Sequence, residues 1–432
     1  MRTSLQAIAQ KAKEHKEYRF QNLYGMLDVV GLTEAWANIN KKAAPGVDKE
    51  TAAEFGKNLG KNIQEIVTAL KEKRYKAKLV RRTYIPKEPG KKRPLGILVI
   101  ADKVVQEAAA EILGAIFEQD FLPCSHGYRP IVGPQQAVKN LTRELQFGKY
   151  NFIVEADIRG YFENIQHDLL IKMVNQRVDD GAFTGLIKKW LEAGNLEPDG
   201  TIIEPITGTP QGGIISPILA NIYLHYALDL WFEKAIKPRC EGKANLCRYA
   251  DDFIGAFQCK KDAELFYEEL GKRLAKFGLE LAKEKTRIIS FSKFRMNEKT
   301  SFEFLGFEYR WGISRKGKAI IKRRTSRKKL RKSLANFKNW CKESRNKRLW
   351  VIFLELNSKL RGYYNYYGVI GNMDGIAEFY LQATKILYKW LNRRSQRKSF
   401  VWKGFKKVLK RYRVLTPRIT ERSYQLKLCL EV

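Results

Sequence analysis

Several features are missing from this sequence, and each absence narrows what the chain is. No apolar run approaches the roughly 20 residues that a membrane helix needs, and the basic opening segment (MRTSLQAIAQKAKEHKEYRF) has no apolar stretch of the secretory kind. Six cysteines (Cys124, Cys240, Cys247, Cys259, Cys341, Cys429) make no CxxC pair and no zinc-type spacing with the four histidines. They read as reduced thiols of a cytoplasmic protein. There is no low-complexity tract and no internal repeat. Acids are scarce beside bases: 46 Asp+Glu stand against 81 Lys+Arg, a net charge of +35 with a pI near 9.8. Such an excess predicts a polyanionic partner, and a long phosphate backbone is the obvious one. A solvated or membrane-facing basic surface is the other reading.

What is present supports a folded chain. The sequence is 44% hydrophobic and 12% aromatic, and 432 residues suffice for two or three domains of roughly 100–200 residues each. The charge is uneven. Residues 301–432 hold 34 Lys+Arg and 8 Asp+Glu, leaving 47 and 38 for the first 300 residues. The last third therefore reads as a nucleic-acid clamp, and the rest as the part that needs acids.

Periodicity sketches the elements. Residues 1–30 read as a loosely attached helical arm, with Asp48 as a cap for the next helix. A helix over 60–75 precedes a strand from Leu79 to Pro86, a basic turn at 88–92 and the segment 93–97. Ala101 to Phe117 is a periodic helix. The strand Phe152–Ala156 runs into Asp157, and helices are predicted over 167–174, 184–193 and 217–233. Leu246 to Phe257 reads as two strands meeting at Asp251-Asp252. A helix over 263–277 and a strand over 287–291 follow. Beyond a composition change near residue 312, three helices are legible, carrying Leu330, Leu334 and Phe337, then 349–367, then 376–391.

Asp157 and the Asp251-Asp252 pair each sit at the end of an apolar strand. If those strands are neighbours, three carboxylates converge, and their mutual repulsion calls for bound cations. Oxygen-only ligation favours Mg²⁺ over zinc. Two such ions can activate a 3′-hydroxyl and stabilise a departing pyrophosphate. Taken alone, Asp251-Asp252 is equally an ordinary hairpin turn.

The wider strings add a resemblance. Arg248-Tyr249-Ala250-Asp251-Asp252-Phe253 resembles the Tyr-x-Asp-Asp signature of reverse transcriptases, and Ala156-Asp157-Ile158-Arg159-Gly160-Tyr161-Phe162 resembles their first palm motif. Thr209-Pro210-Gln211-Gly212-Gly213-Ile214-Ile215-Ser216-Pro217 is similar to the group II intron form of the second. Arg93-Pro94-Leu95-Gly96-Ile97, Gly127-Tyr128-Arg129-Pro130 and Leu360–Tyr367 match the same group. The set occurs in order and covers about residues 35 to 420.

The resemblance implies an α+β right-hand polymerase: fingers and a palm with a small antiparallel sheet, plus an α-helical thumb. Its boundaries would be a helical extension at 1–34, fingers and palm at 35–311, a thumb or maturase domain at 312–400 and a basic segment at 401–432. It implies an RNA-dependent DNA polymerase with intron-RNA binding and maturase activity. Asp157 and Asp251 would bridge two Mg²⁺ ions (Mn²⁺ as substitute), Ile158 would lend its backbone carbonyl, and Asp252 would be the third carboxylate. Phe162 would gate against a ribose 2′-hydroxyl. Gln211 would lie on the incoming dNTP, with Gly212 and Gly213 allowing close backbone approach. Lys87 and Arg93, flanking the basic turn, suit a triphosphate clamp. Lys285 is the candidate general acid, with Lys283 equally near in sequence.

Expected partners are an intron RNA template, a DNA or RNA primer, an RNA–DNA duplex and dNTPs, with no membrane; monomer and dimer stay open. For nucleic acid the candidates are Arg129, the run Lys322, Arg323, Arg324, Arg327 and Lys328, read as a packed basic helix, and Arg361 and Tyr364, with about half of the 363–367 tyrosines given to packing. His126 is a further contact for template, whereas His167 and His225 read as structural. No endonuclease is expected, because no metal-finger spacing appears near Val432. The alternatives are a splicing cofactor without polymerase activity and a domesticated defence or CRISPR-associated reverse transcriptase.

Overall fold

The computed structural model describes residues 2–88, 91–130, 132–296, 300–314, 316–394 and 399–421. It is a mixed α/β structure with small sheets, and its residues gather into two compact units. One comprises residues 1–137 and 154–288, the other 138–153 and 289–432.

In the first unit, helix α1 (Arg2–Glu14) packs along α5 (Ile100–Phe117). It is not a loose arm: Arg177, 3% exposed, donates to the carbonyls of Ala12, His15 and Lys16. The Ala12 carbonyl is one that a helix end leaves unsatisfied, and the other two follow the helix directly. Helices α2 (Val29–Asn38), α3 (Ala52–Lys57) and α4 (Leu59–Lys71) follow. The cap of α3 is Thr51 rather than Asp48, because Thr51 and Glu54 close a reciprocal capping box. Strands β1 (Val80–Glu88) and β2 (Lys91–Ile97) pair antiparallel, Arg81 opposite Ile97 and Ile85 opposite Arg93. Apolar on almost every side, α5 takes the centre of the unit. Its three buried polar side chains hold incoming segments. Asp102 accepts from the Tyr75 hydroxyl and the Lys78 amide, Lys103 donates to the Ala44 carbonyl, and Gln106 accepts from the amides of Ile214 and Ile215.

The remaining elements of this region are β3 (Ser125–His126), α6 (Pro134–Phe147), β4 (Phe152–Arg159), α7 (His167–Val174), α8 (Gly181–Leu191), β5 (Asn195–Leu196) and β6 (Ile202–Ile203). They continue with α9 (Ser216–Leu224), β7 (Ala244–Tyr249), β8 (Asp252–Phe257), α10 (Lys260–Ala275), β9 (Glu280–Leu281) and β10 (Arg287–Ser290). One sheet runs β2-β1-β5-β6. The other runs β10-β4-β8-β7-β3, with β9 also on β4. The predicted helix over 217–233 is α9 followed by two π-helical stretches, His225–Asp229 and Phe232–Ile236. Such widened turns are rare and frequent near functional sites.

The second unit holds a sheet that periodicity did not reveal. Strands β11 (Phe302–Phe304), β12 (Phe307–Ile313) and β13 (Ala319–Thr325) form an antiparallel meander. The basic run at 322–332 is therefore not one helix: its start lies on β13, and α11 (Arg327–Ser344) begins after the Ser326 cap. Helices α12 (Leu349–Tyr367), α13 (Met373–Leu391) and α14 (Trp402–Arg411) complete the unit. Their core includes Phe337, Phe353, Leu360, Tyr363, Phe379 and Phe405, and the Tyr363 and Phe379 rings stack at 3.6 Å. Among the described residues no disulfide links Cys124, Cys240, Cys247, Cys259 and Cys341. No described helix is long and apolar enough to cross a membrane.

Candidate active site

The Tyr249–Asp252 turn is a two-residue hairpin of the first unit. β7 and β8 pair from Ala244–Phe257 to Tyr249–Asp252, so only Ala250 and Asp251 lie between the paired residues. Ala250 takes φ +55°, the left-handed region that a two-residue hairpin demands. The turn is held from below. Arg248, 0% exposed, donates to both Asp229 oxygens (2.7 and 2.6 Å), to Ser125 Oγ (2.6 Å), to Asn221 Oδ1 (3.2 Å) and to the Ala250 carbonyl (3.0 Å). Burial works against the Arg248 charge, and Asp229 outweighs it, so the guanidinium pKa is raised. Asn221 passes the linkage on, donating to the Gly127 carbonyl at 2.9 Å.

Asp157 lies on β4, the neighbour of β8. The two aspartate-bearing segments therefore belong to adjacent strands. The Asp157 carbonyl accepts from the Ala282 amide at 2.9 Å, and a tight turn brings the Lys285 amide to the Ala282 carbonyl, also at 2.9 Å. That turn sets the Lys285 ammonium on Asp157 Oδ2. Lys285 rather than Lys283 makes this contact. Ile158 is 3% exposed, with its side chain packed inside. Among the described residues, no three His, Cys, Asp or Glu side chains are gathered into a ready-made metal cage.

Phe162 sits on the short 3₁₀ turn Tyr161–Glu163, entered through Gly160 at φ +54°. Its ring meets Tyr161 at 5.4 Å and Tyr128 at 6.3 Å, the latter at 89°. The 208–213 loop is strapped to this turn, with the Thr209 amide on the Phe162 carbonyl and the Gly208 amide on that of Ile165, both at 2.8 Å. His167 holds the Gly208 carbonyl at 2.7 Å. Gln211 donates to Glu163 Oε1 at 3.2 Å. The need for glycine at 212 is visible: at φ +112°, a Cβ there would stand 2.4 Å from the Gly96 carbonyl. It is β2 that approaches this closely. Arg93 is exposed on β2, while the side chain of Lys87 lies outside the described residues.

Tyr128 is 52% exposed, and sequence reasoning passed over it. Its hydroxyl pKa is raised, first by burial, then by the Asp251 carboxylate and Tyr249, with Arg93 opposing. The signal was its place beside glycine in the Gly127–Pro130 string. His126 is 2% exposed with its ring on the Cys124 carbonyl, and so offers template nothing.

Several expected nucleic-acid contacts are used inside the fold. Arg129 forms a two-toothed ion pair with Glu118 and donates to the carbonyls of Leu122 and Ser125. Arg323, 5% exposed, pairs with Glu421, and Arg324 with Glu308. Tyr364 is fully buried with its hydroxyl on the Leu415 carbonyl, so its ring presents no stacking face. Arg327, Lys328 and Arg361 are exposed and Lys322 is half-buried. α14 adds Lys403, Lys406, Lys407, Lys410 and Arg411, all exposed. The sequence signal for them is a stretch from Glu378 to Glu421 with 13 Lys+Arg and no acid between.

Residues 85–309 match the family model described as reverse transcriptase (RNA-dependent DNA polymerase). The chain is similar to the group II intron-encoded protein LtrA of Lactococcus lactis, 31% identical over 463 residues, 87% of this chain and 75% of that protein. It is 32% identical over 274 residues to protein YkfC of Escherichia coli, covering 56% of this chain and 72% of that one. A Saccharomyces cerevisiae protein named for intron 1 of COX1/OXI3 is 29% identical over 386 residues, 74% of this chain and 45% of its own.

Proposed function

The chain belongs to the reverse transcriptases encoded by group II introns, and from that premise we propose that Asp157, Asp251 and Asp252 carry its RNA-directed DNA polymerase activity. The observation that carries this assignment is the adjacency of β4 and β8, which puts the family's two aspartate motifs on neighbouring strands at a turn buttressed by a buried arginine. The β4–β8–β7 sheet reads as the palm, the β1–β2 hairpin as fingers and α11–α14 as thumb.

The donor set fits Mg²⁺: three carboxylates and the backbone carbonyl of Ile158 offer hard oxygen and neither sulfur nor imidazole. The Lys285 ammonium lies on the Asp157 carboxylate, beside this donor set. When bound, two Mg²⁺ ions would lower the pKa of the primer 3′-hydroxyl and offset charge on the departing pyrophosphate. The protein's own residues do the rest. Asp157, Asp251 and Asp252 supply the negative pocket. Lys285, on this reading, gives a proton to the leaving pyrophosphate. Arg93, with Lys87, offers donors to the triphosphate. Gln211, held by Glu163, flanks the nucleotide, and the Phe162 ring closes the space that a 2′-hydroxyl would need.

RNA template and primer duplex are the partners, and intron RNA is the partner for maturase activity. The exposed bases of α11, α12 and α14 suit a shape-reading grip on A-form duplex, which needs backbone contacts more than base contacts. Primer extension on an RNA template with Mg²⁺, comparing dNTPs with rNTPs, tests the reading. DNA product from dNTPs alone is expected. Tight, salt-sensitive RNA binding without product would instead indicate a splicing cofactor.

A further inference from the structure

Gly127 and Tyr128 take φ +83° and +54°, two successive left-handed residues laid against the Tyr249–Asp252 turn. For glycine this is easy. For a bulky aromatic it is costly, and such backbone persists where the surroundings over-determine it. Here they do. The Gly127 carbonyl is held by Asn221, a Cβ at Gly127 would come within 3.1 Å of the Ala250 amide nitrogen, and Arg129 is locked on Glu118, Leu122 and Ser125. A tyrosine strained to fill the core would be buried, yet this ring is 52% exposed. What its backbone geometry achieves is the contact with Phe162, edge to face at 6.3 Å and 89°. Phe162 also meets Tyr161 at 5.4 Å, and Tyr161 is 2% exposed with its hydroxyl fixed on the Ala220 carbonyl. The Phe162 ring thus has two tyrosine neighbours, one buried and fixed and the other half-exposed.

We propose that Tyr128 is a positioning residue for sugar selection: its ring is the outer wall that keeps Phe162 in the place where a ribose 2′-hydroxyl would collide. The inference rests on Phe162 acting as the gate. Without that wall Phe162 gains room to turn outward, and ribonucleotides are admitted. A residue that only covered the turn would, when removed, slow dNTP and rNTP insertion alike.

The test is single-nucleotide insertion on an RNA template, with kcat and KM measured for a dNTP and its rNTP. The proteins are wild type, Tyr128→Phe, Tyr128→Ala, Phe162→Ala and the double alanine variant. Tyr128→Ala is expected to reduce the dNTP preference by about three- to tenfold, the range of an edge-to-face aromatic pair. Tyr128→Phe, which keeps the ring, should restore it. In the Phe162→Ala background, Tyr128→Ala should cause no further loss, since the two act as one unit. If Tyr128→Ala does not fold, Tyr128→Gly removes the ring while relaxing the left-handed backbone, and the same loss of preference is expected. Unchanged preference in the ring-less variants, or full additivity with Phe162→Ala, overturns the inference. If Phe162→Ala itself leaves the preference intact, the gate reading fails first. If Phe162→Ala relaxes the preference and Tyr128→Ala does not, only the role of Tyr128 is refuted.

Discussion

Beneath the Tyr249–Asp252 turn of the first unit the supporting charges are buried and paired, whereas along α14 of the second they stand outside an apolar helical core. Arg248 and Asp229 are both 0% exposed and locked to a turn of two residues. The bases of α14 line the outside of a helix whose inward residue, Phe405, is 0% exposed. The contrast follows from the two tasks. Placing reacting atoms needs a geometry that one side chain can ruin. Gripping a polyanion needs summed charge, which no single side chain controls. Single substitutions should therefore be severe in the first unit and graded in the second.

The largest effect is expected at the carboxylates. Asp157→Asn keeps the shape and removes a charge, and should lower single-turnover dNTP incorporation by about a thousandfold or more. A smaller loss would weaken the contrast at its strongest point. Next comes the support beneath the turn. Arg248→Met leaves Asp229 buried and unpaired, and should cost about 3–5 kcal/mol in denaturant unfolding. Adding Asp229→Leu should recover most of that stability without restoring polymerase rate, because the Ala250 carbonyl still lacks its donor.

A pH effect of about 2 kcal/mol should separate two other buried groups of the first unit. Burial pushes the Asp102 carboxyl up to about 6, against the lowering pull of its Tyr75 and Lys78 hydrogen bonds. Its stabilising contribution is thus full below the ordinary carboxylate range and lost as pH rises through about 6. Burial pushes His225 down to about 4, against the raising pull of Asp229. Its contribution is present above the ordinary imidazole value and lost as pH falls toward 4. The two oppose each other between pH 4 and 6. Asp102→Asn should therefore steepen the loss of stability on acidification, read from unfolding midpoints across that window.

The smallest effects belong to the second unit. Lys406→Ala or Arg327→Ala should weaken RNA binding only a few-fold at about 0.1 M salt, and reduce the salt slope by about 0.7–0.9 for each phosphate no longer neutralised. A single base there that abolished binding would break the comparison.

Much of this arrangement is legible in the chain alone. The β7–β8 turn at Asp251-Asp252, the β1–β2 hairpin and the three helices α11–α13 follow from alternation, turn chemistry and helical period, whereas β4 runs two residues past Asp157 to Arg159. What stays hidden depends on packing across long sequence distances. Composition marks Arg248, Arg129 and Arg323 as surface bases, and only the fold supplies the Asp229, Glu118 and Glu421 that bury them. The β11–β13 meander is masked because its last strand carries the bases that suggest a helix. Tyr364 sits within an aromatic run whose helical spacing requires some rings to face inward, and it is one of them.

The proposed assignment requires that polymerisation depend on the Asp157 and Asp251-Asp252 carboxylates while RNA affinity does not. One preparation each of wild type and Asp251→Ala should be measured for single-turnover primer extension and for RNA binding at three salt concentrations. Extension reduced by about a thousandfold, with affinity and salt slope unchanged, is the expected result. Extension that survives, or affinity that falls with it, would contradict the claim.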